Sequence, residues 1–139
     1  MTIIQETLNF NTMPRTAHEI TKEVQGLVLG SRIEKGLCHL FIRHTSASLM
    51  ICENADPDVR TDLETFMQSI APDGDPMFCH TTEGADDMPA HIRTLITNVS
   101  LTIPVSSSFC QLGTWQGIYL WEHRASLQSR KVIVTLQGE

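Results

Sequence analysis

Residues 113–124, GTWQGIYLWEHR, form the stretch that decides the fold of this chain. Its middle is apolar and aromatic, which is typical of a buried β-strand. Its end carries an acid, an imidazole and a guanidinium in succession, and these groups are costly to bury without partners. We therefore predict a core strand whose exit presents Glu122, His123 and Arg124 to a functional site.

Further strands and three helices are predicted on either side of this stretch. The strands are expected at residues 2–10, 37–43, 48–53, 99–105, 109–112, 115–121 and 131–136. A capping-box pattern at residues 16–19 predicts a first helix that ends near Gly30. An Asp-Pro pair at residues 56–57 opens a second helix, and residues 86–89 open a third.

The order of these elements indicates an α+β fold. Strands and helices mix in the first two thirds of the chain, whereas the last third is all strand with short connections. No regular strand–helix alternation persists, which argues against a doubly wound parallel sheet. We predict one domain over residues 1–139, with an antiparallel β-sandwich-like core and about three helices packed outside it.

Length and composition limit the possible functions. The chain has 139 residues, of which 41% are hydrophobic and 19% charged, and its formal net charge is −6. These values are ordinary for a globular domain. The acidic balance argues against nucleic acid or an anionic membrane as a partner. The sequence shows no secretory signal, no membrane-length apolar run and no CxxC pair, so we expect a soluble cytoplasmic protein with reduced thiols.

Four of the six histidines lie in polar surroundings at predicted strand ends or helix starts. They are His44, His80, His91 and His123. Neutral imidazoles are common zinc ligands, and three of them with an open position make a catalytic zinc site. The four are dispersed in sequence, so a second interpretation stays open: some cap helices or lie on the surface, which fits His18 and His39 best.

Two groups of carboxylates accompany the predicted helix starts. Glu53 and Asn54 follow an apolar strand and precede the second helix, whose N-terminus suits an anion. Asp56 is explained as a helix cap, which leaves Glu53 as a candidate functional group. Asp87 and His91 are four residues apart and can share a helix face, where a carboxylate can orient an imidazole or act as a general base. The chain lacks a GxSxG elbow, an activated cysteine and nucleotide-binding glycine patterns.

Several motifs together resemble one known family. They read HTSASL at 44–49, ENADP at 53–57, EGADDMPAH at 83–91 and GTWQGI at 113–118, with EHR at 122–124. In this order they resemble the YjbQ family, whose members are called secondary thiamine-phosphate synthases, over essentially the whole chain. The resemblance implies a β-sandwich-like α+β domain that assembles as a homotrimer and holds a divalent metal in a pocket.

The resemblance also implies roles for individual residues. It places the metal on His44, His91 and His123, with His80 as the alternate ligand. It assigns catalysis to Glu53, Asp87 and Arg124. It assigns contact with a small substrate, phosphorylated in the family's named reaction, to Ser46, Asn54 and Gln116. Imidazole ligands favour zinc over magnesium. Segment 105–109 lacks the glycine with which family members usually turn a hairpin, which leaves the shape of that loop open.

The implied reaction joins an aminopyrimidine diphosphate to a thiazole phosphate and releases diphosphate. A divalent cation and a cationic side chain such as Arg124 would neutralise the leaving group. The chain has few other phosphate ligands, so we expect this activity to be weak. Two alternatives stay open. One is a zinc-dependent hydrolase in which Glu53 or Asp87 moves the proton, and the other is a non-catalytic metal- or ligand-binding trimer.

Overall fold

Two antiparallel sheets and three helices make up the structure, a computed structural model that describes all residues from Met1 to Glu139. The strands are β1 (Thr2–Thr12), β2 (Ala17–Glu19), β3 (Lys35–Ile42), β4 (Ala47–Glu53), β5 (Ser100–Ser106), β6 (Phe109–Cys110), β7 (Gln116–Glu122) and β8 (Gln128–Gly138). The helices are α1 (Thr21–Ser31), α2 (Pro57–Ile70) and α3 (Asp87–Ile96). The predicted α+β class is confirmed. None of the helices combines the length and the apolar character needed to span a membrane.

The main core draws on both sheets. The larger sheet has the strand order β1-β8-β3-β5-β6, and the smaller has the order β2-β7-β4. Sixteen buried residues from the two sheets, α1 and the segments that flank α1 form one apolar cluster. Strand β3 shows the alternation that this requires, because Leu40 and Ile42 are buried while Leu37 and Phe41 point to the other face and are exposed.

Strand β7, predicted from the GTWQGIYLWEHR stretch, is buried on both faces. Ile118 and Leu120 belong to the main core. Tyr119 and Trp121 lie on the opposite face and pack against Met67 of α2 in a second cluster. Because a helix covers its outer face, the strand is apolar at successive positions rather than alternately apolar and polar.

Residues 17–19 form a short strand, and the helix start predicted there is wrong. Strand β2 pairs with β7, with Ala17 opposite Trp121 and Glu19 opposite Tyr119. Helix α1 begins later, at Thr21. Pairing with a core strand that is distant in sequence outweighs the local capping signal, as tertiary context often does.

Helix α2 begins as predicted. The Asp56 Oδ1 atom accepts the backbone N–H of Asp58 at 2.9 Å, and Pro57 occupies the first turn. The apolar residues of this helix are only partly buried within one chain, since Met67 is buried but Phe66 is exposed.

The β5–β6 hairpin closes without glycine. Its two loop residues, Ser107 and Ser108, have φ angles of 52° and 62°, as a two-residue type I′ turn requires. The Ser108 N–H donates to the Glu34 carbonyl at 3.1 Å, and the Gln25 side-chain amide donates to the Ser108 carbonyl at 3.0 Å. Contacts with neighbouring segments therefore hold two serines in a conformation that glycine or asparagine adopts more readily.

Candidate functional site

Asp87 is the centre of a compact polar cluster at the start of α3. The carboxylate is only 2% exposed. Its Oδ2 atom lies 2.6 Å from His80 Nε2 and 3.1 Å from His91 Nε2. Its Oδ1 atom lies 3.0 Å from Arg124 Nη1. The cluster therefore joins three predicted site residues, Asp87, His91 and Arg124, with the alternate ligand His80.

Three separate parts of the chain build this cluster. Asp87 and His91 are one helical turn apart on α3, as their spacing predicts. His80 comes from the long connection between α2 and α3, and Arg124 follows the exit of β7. The spacing on α3 is a local property, whereas the arrival of His80 and Arg124 depends on the packing of the whole chain.

Arg124 joins the exit of β7 to the start of α3. Its Nε atom donates to Asp86 Oδ2 at 2.8 Å, and its Nη2 atom donates to the Glu83 carbonyl at 2.9 Å. With Asp87 on Nη1, each guanidinium nitrogen has a partner in the chain. The hydrogen bond to Asp86 is the largest influence that raises the pKa of Arg124. The guanidinium thus holds two neighbouring carboxylates in place.

The Asp87 carboxylate is stabilised as an anion despite its burial. Burial acts to raise the pKa of this group, but the hydrogen bond from His80 and the charge of Arg124 outweigh it. The pKa of Asp87 is therefore held below its ordinary value. The pKa of Asp86 is also lowered, against its own burial, by the hydrogen bond from Arg124.

His91 lies between two oxygen acceptors. Its Nδ1 atom is 3.1 Å from the Thr45 carbonyl, and its Nε2 atom is 3.1 Å from Asp87 Oδ2. A neutral imidazole has only one N–H, so the lone pair of its other nitrogen would face the lone pair of an acceptor oxygen. The arrangement is satisfied by a second proton or by a metal ion on Nε2, while Nδ1–H donates to Thr45.

The cluster fits the donor set of a divalent metal. One ligand atom from each of His80, Asp87 and His91 lies within 4.8 Å of the others. Two imidazole nitrogens and one carboxylate oxygen, with a further position left open, are typical of catalytic zinc sites. The fixed Nδ1–H of His91 is the kind of outer hydrogen bond that orients a metal-binding imidazole.

His44 lies outside this cluster. Its Nε2 atom accepts the backbone N–H of Lys131 at 2.8 Å, so the Nε2 lone pair is already engaged. Burial, helped by the charge of Arg130, lowers the pKa of His44. The imidazole borders a cavity of about 470 Å³ that Arg43 and Ser46 also line.

His123 is fully buried and also lies outside the cluster. Its Nε2 atom is 2.8 Å from Ser48 Oγ, and its Nδ1 atom has no hydrogen-bond partner in the chain. Burial, together with the charges of Arg93 and Arg15, lowers the pKa of His123 to about 3. The structure therefore holds a neutral imidazole at this position.

The buried His123 should make folding stability fall in mild acid. An unfolded imidazole binds a proton below its ordinary pKa of 6.5, whereas the folded one does so only near pH 3. Stability is then fully present above pH 6.5 and declines as the pH falls towards 3. We expect His123 to make the free energy of unfolding about 2 kcal/mol lower at pH 5 than at pH 8. Urea unfolding of wild type and His123→Asn checks this, and an equally steep pH dependence in the variant would contradict it.

A buried ion pair supports the exit of β7. The Glu122 Oε1 atom accepts from Thr12 Oγ1 at 2.6 Å and from Arg130 Nε at 2.7 Å. Its Oε2 atom accepts from Arg130 Nη2 at 2.5 Å and from the Arg124 N–H at 2.9 Å. Arg130 Nη2 also donates to the Ser46 carbonyl and hydroxyl at 3.1 and 2.8 Å. Ser46, predicted to contact substrate, is therefore buried in the network that positions Arg124.

Three predicted site residues lie at the opposite end of the smaller sheet. Glu53 pairs with Gln116, whereas Ala47 pairs with Glu122. The two pairs are separated by the length of β4, about 20 Å at the usual rise per residue. The Glu53 carboxylate accepts the Asp56 N–H at 3.0 Å, and Gln116 Oε1 accepts the Gly113 N–H at 2.7 Å.

Asn54, the third of these residues, also has a local partner. Its Nδ2 atom lies 3.4 Å from Glu19 Oε2. Within one chain, the structure therefore does not bring Glu53, Asn54 and Gln116 to the Asp87 cluster.

Asp86 and the Thr45 carbonyl are site groups that the sequence did not identify. Asp86 Oδ2 accepts from Arg124 Nε and from the Ala125 N–H, at 2.8 and 2.9 Å. The doubled aspartate at 86–87 was the available signal, but either residue could have been a helix cap. A backbone carbonyl such as that of Thr45 leaves no signal in a sequence.

Comparison with known proteins shows close relatives over nearly the full chain. The family model described as UPF0047 protein YjbQ-like matches residues 6–139. A UPF0047 protein of Synechocystis is 48% identical over 97% of this chain and 92% of its own length. The UPF0047 protein YjbQ of Salmonella typhimurium is 48% identical over 97% of this chain and 98% of its own length.

Solved structures share the fold. A conserved hypothetical protein of Thermus thermophilus is 32% identical with a TM-score of 0.85, covering 95% of this chain and 99% of that one. A YjbQ/UPF0047 family protein of Clostridium acetobutylicum is 31% identical with a TM-score of 0.80, covering 96% and 99%.

Proposed function

This chain belongs to the YjbQ-like UPF0047 family, and from that premise we propose that it is a divalent-metal-dependent enzyme acting on a small phosphorylated substrate. The metal ligands in this proposal are His80, Asp87 and His91. The observation that carries it is the position of His91 between two oxygen acceptors, 3.1 Å from each. A cation on Nε2 resolves that arrangement, and the buried, anionic Asp87 offers it a second ligand atom.

Zinc is the metal that this donor set favours. Imidazole nitrogens suit zinc, whereas magnesium prefers a shell of oxygen ligands and water. When bound, a divalent ion would neutralise negative charge on a leaving diphosphate. Asp86 and Arg124 act as positioning residues in this proposal, because Arg124 holds Asp87 through one nitrogen and Asp86 through another.

A cavity beside His80 offers room for the organic part of a substrate. It has a volume of about 390 Å³. Its other walls come from the connection between α2 and α3, namely Gly74, Asp75, Pro76, Phe78, Thr81 and Ala85. An aromatic side chain with adjacent polar groups is typical of pockets for small heterocyclic molecules. The cavity and the proposed metal share His80, which would place substrate and metal side by side.

The reaction we propose first is thiamine-phosphate synthesis. In it, the ring nitrogen of a thiazole phosphate bonds to the methylene carbon of an aminopyrimidine diphosphate. The bond from that carbon to the diphosphate oxygen breaks, and diphosphate leaves with the electron pair. Each guanidinium nitrogen of Arg124 already has a partner within the chain, so few cationic groups are free for the diphosphate. We therefore propose a low rate for this reaction.

A zinc-dependent hydrolase is the second candidate. Its support is the ligand count, because three protein ligands with an open position suit activation of a bound water. In this version the cavity beside His80 would hold the hydrolysed substrate. A non-catalytic metal-binding protein is the remaining alternative, and it would bind zinc without turning over any substrate.

We also propose that the chain assembles as a homotrimer. Support comes from apolar side chains that one chain leaves exposed on the outer face of the larger sheet and on α3. They include Leu37 and Phe41, each 44% exposed, and Leu95, 82% exposed. Exposed apolar groups of this kind are typical of contact surfaces between copies. Analytical ultracentrifugation measures the assembly directly.

Product formation from the two thiamine precursors tests the proposed reaction. We expect thiamine phosphate to form with zinc-loaded protein, to fall to background after chelation, and to return when zinc is added back. Protein that carries stoichiometric zinc but makes no product would contradict the synthase and leave the hydrolase and the non-catalytic metal-binding protein. Protein that carries no metal and gains no activity with it would contradict both enzymes.

A further inference from the structure

The cavity at the end of β3 is lined by basic side chains and by no carboxylate. It has a volume of about 470 Å³, and Arg43, His44 and Arg130 contribute its basic groups. No aspartate or glutamate lines it, although the chain as a whole has a formal net charge of −6. Clefts lined by one sign of charge concentrate ions of the opposite sign. The cavity therefore suits an anion.

Arg130 presents one unpaired nitrogen to this cavity. The residue is 5% exposed, and its hydrogen bonds to Glu122 and Ser46 use only Nε and Nη2. The third nitrogen, Nη1, has no hydrogen-bond partner in the chain, and it is not one of the fully enclosed polar atoms. A buried arginine thus keeps one donor that a ligand in the cavity can reach.

His44 offers a second donor. Because its Nε2 atom accepts the backbone N–H of Lys131 at 2.8 Å, the neutral ring carries its proton on Nδ1. The imidazole is half-buried, and its Nδ1 atom is neither paired within the chain nor fully enclosed. The Nδ1–H group is therefore free to donate to a ligand, while the bond to Lys131 holds the ring in place.

Positive charge predominates around His44. Burial lowers the pKa of this imidazole, and three cationic side chains lower it further, against one carboxylate that raises it. The cations are Arg43, Arg130 and Lys131, and the carboxylate is that of Glu122. Glu122 offsets the charge of Arg130, whereas Arg43 is exposed and takes part in no ion pair of the chain. Arg43 therefore supplies the free positive charge of the cavity.

Two exposed apolar side chains, Phe41 and Val99, also line the cavity. They belong to neighbouring segments, because the Ile42 N–H donates to the Val99 carbonyl at 2.9 Å. A volume of about 470 Å³ is within the range of pockets that hold small organic ligands. The combination of basic and apolar lining therefore suits an organic anion better than an inorganic ion.

This cavity adjoins the Asp87 cluster without sharing a residue with it. None of the proposed metal ligands lines it, and it shares no lining residue with the cavity beside His80. Thr45 lies between the two sites, since it lines the cavity and its carbonyl is 3.1 Å from His91 Nδ1. Binding in this cavity can therefore be tested without the metal.

We infer that this cavity binds the phosphate group of a small phosphorylated molecule, whose organic part packs against Phe41 and Val99. The Arg43 guanidinium pairs with the phosphate, and the N–H groups of His44 Nδ1 and Arg130 Nη1 donate to its oxygens. These three groups offer donors and no acceptor, which suits a dianion with no proton of its own to donate. Phosphate monoesters are mostly dianions at pH 8, because their second pKa is about 6.

Calorimetric titration of metal-free protein with phenyl phosphate at pH 8 tests this inference. We expect a dissociation constant below about 1 mM, at least about tenfold lower than that of inorganic phosphate, because the ring adds contact with Phe41. Phenyl sulfate carries one charge rather than two and should bind about tenfold more weakly or less. The inference is overturned if phenyl phosphate does not saturate the protein, or if inorganic phosphate or phenyl sulfate binds as tightly.

Arg43→Gln removes the free charge at an exposed position, where folding should be unaffected. We expect phenyl phosphate to bind about tenfold more weakly to this variant. Arg32→Gln is the matched control, because Arg32 is also exposed and follows α1, at the opposite end of β3 from Arg43. It should bind as wild type does. Equal losses in the two variants would show an effect of net charge and would contradict a site at Arg43.

Phe41→Leu tests the contact with the organic part of the ligand. Leucine keeps an apolar side chain for the proposed trimer contact but removes the ring, so phenyl phosphate should lose most of its advantage over inorganic phosphate. An unchanged advantage would overturn the placement of the organic part.

Asp87→Asn separates this site from the proposed metal centre. The substitution alters a proposed metal ligand but no residue of the cavity, so metal-free variant and wild type should bind phenyl phosphate equally. Loss of phenyl phosphate binding in Asp87→Asn would place the phosphate at the Asp87 cluster instead and overturn the inference. Failure of the metal proposal leaves this result unchanged.

Discussion

Replacing Arg130 with methionine is expected to lower the free energy of unfolding by about 3–5 kcal/mol. Glu122 is fully buried, and Arg130 binds both of its oxygens. Methionine fills much of the same volume but leaves the carboxylate without a counter-charge in the interior. Breaking a buried pair by removing one partner is strongly destabilising for that reason. Urea unfolding at neutral pH measures the loss.

Lys131→Met is the matched control for this substitution. Lys131 is the next residue on β8, and its side chain is exposed on the other face of the strand. The backbone N–H that His44 accepts is unchanged by the substitution. We expect a change within about 0.5 kcal/mol. A loss below about 1 kcal/mol in Arg130→Met would mean that water or local rearrangement compensates Glu122.

The second large effect is expected at the proposed metal centre. His91→Ala removes a ligand and should weaken zinc binding by more than about 100-fold, beyond the 10–100-fold typical of outer-shell partners. Arg124→Met removes the group that holds Asp87 rather than a ligand, so it should weaken binding by about 10–100-fold. Competition with a chromophoric chelator measures both affinities, and the absorption spectrum of bound cobalt reports the ligand set.

His39→Ala is the matched control, since His39 lies on β3 and contacts Thr102. It should bind zinc as wild type does. If His91→Ala and His39→Ala bind zinc equally, the ligand assignment is wrong. If His44→Ala or His123→Ala abolishes binding while His80→Ala does not, the resemblance-based ligand set holds in place of the cluster seen within one chain.

Contacts between residues close in sequence could be predicted, whereas contacts between distant residues could not. Asp56 caps α2 through Asp58, two residues away, and Asp87 meets His91 one turn along α3. Both interactions depend on spacing alone, which a sequence displays. The side chain of His80 instead reaches Asp87 from a long connection that has no periodicity. Its place beside the cluster depends on how α2, α3 and β7 pack.

The course of β4 separates residues that lie close together in the sequence motifs. Ser46 and Glu53 lie close in sequence, but β4 runs between them and carries them to opposite ends of the smaller sheet. The segment 44–46 meets α3 and the exit of β7, whereas Glu53 meets Gln116. The motifs alone could not indicate which end of β4 would lie beside the buried Asp87 carboxylate.

By itself, the sequence determined the α+β class, a buried strand within residues 113–124, the start of α2 and the pairing of Asp87 with His91. These features depend on apolar content, capping and helical spacing, which act between near neighbours. The tertiary structure alone decided that residues 17–19 pair with β7, that His80 and Arg124 converge on Asp87, that His123 is buried as a neutral group, and that Arg93 is buried against Glu64. Those outcomes depend on contacts between residues far apart in the chain, where burial and hydrogen bonding outweigh local preference.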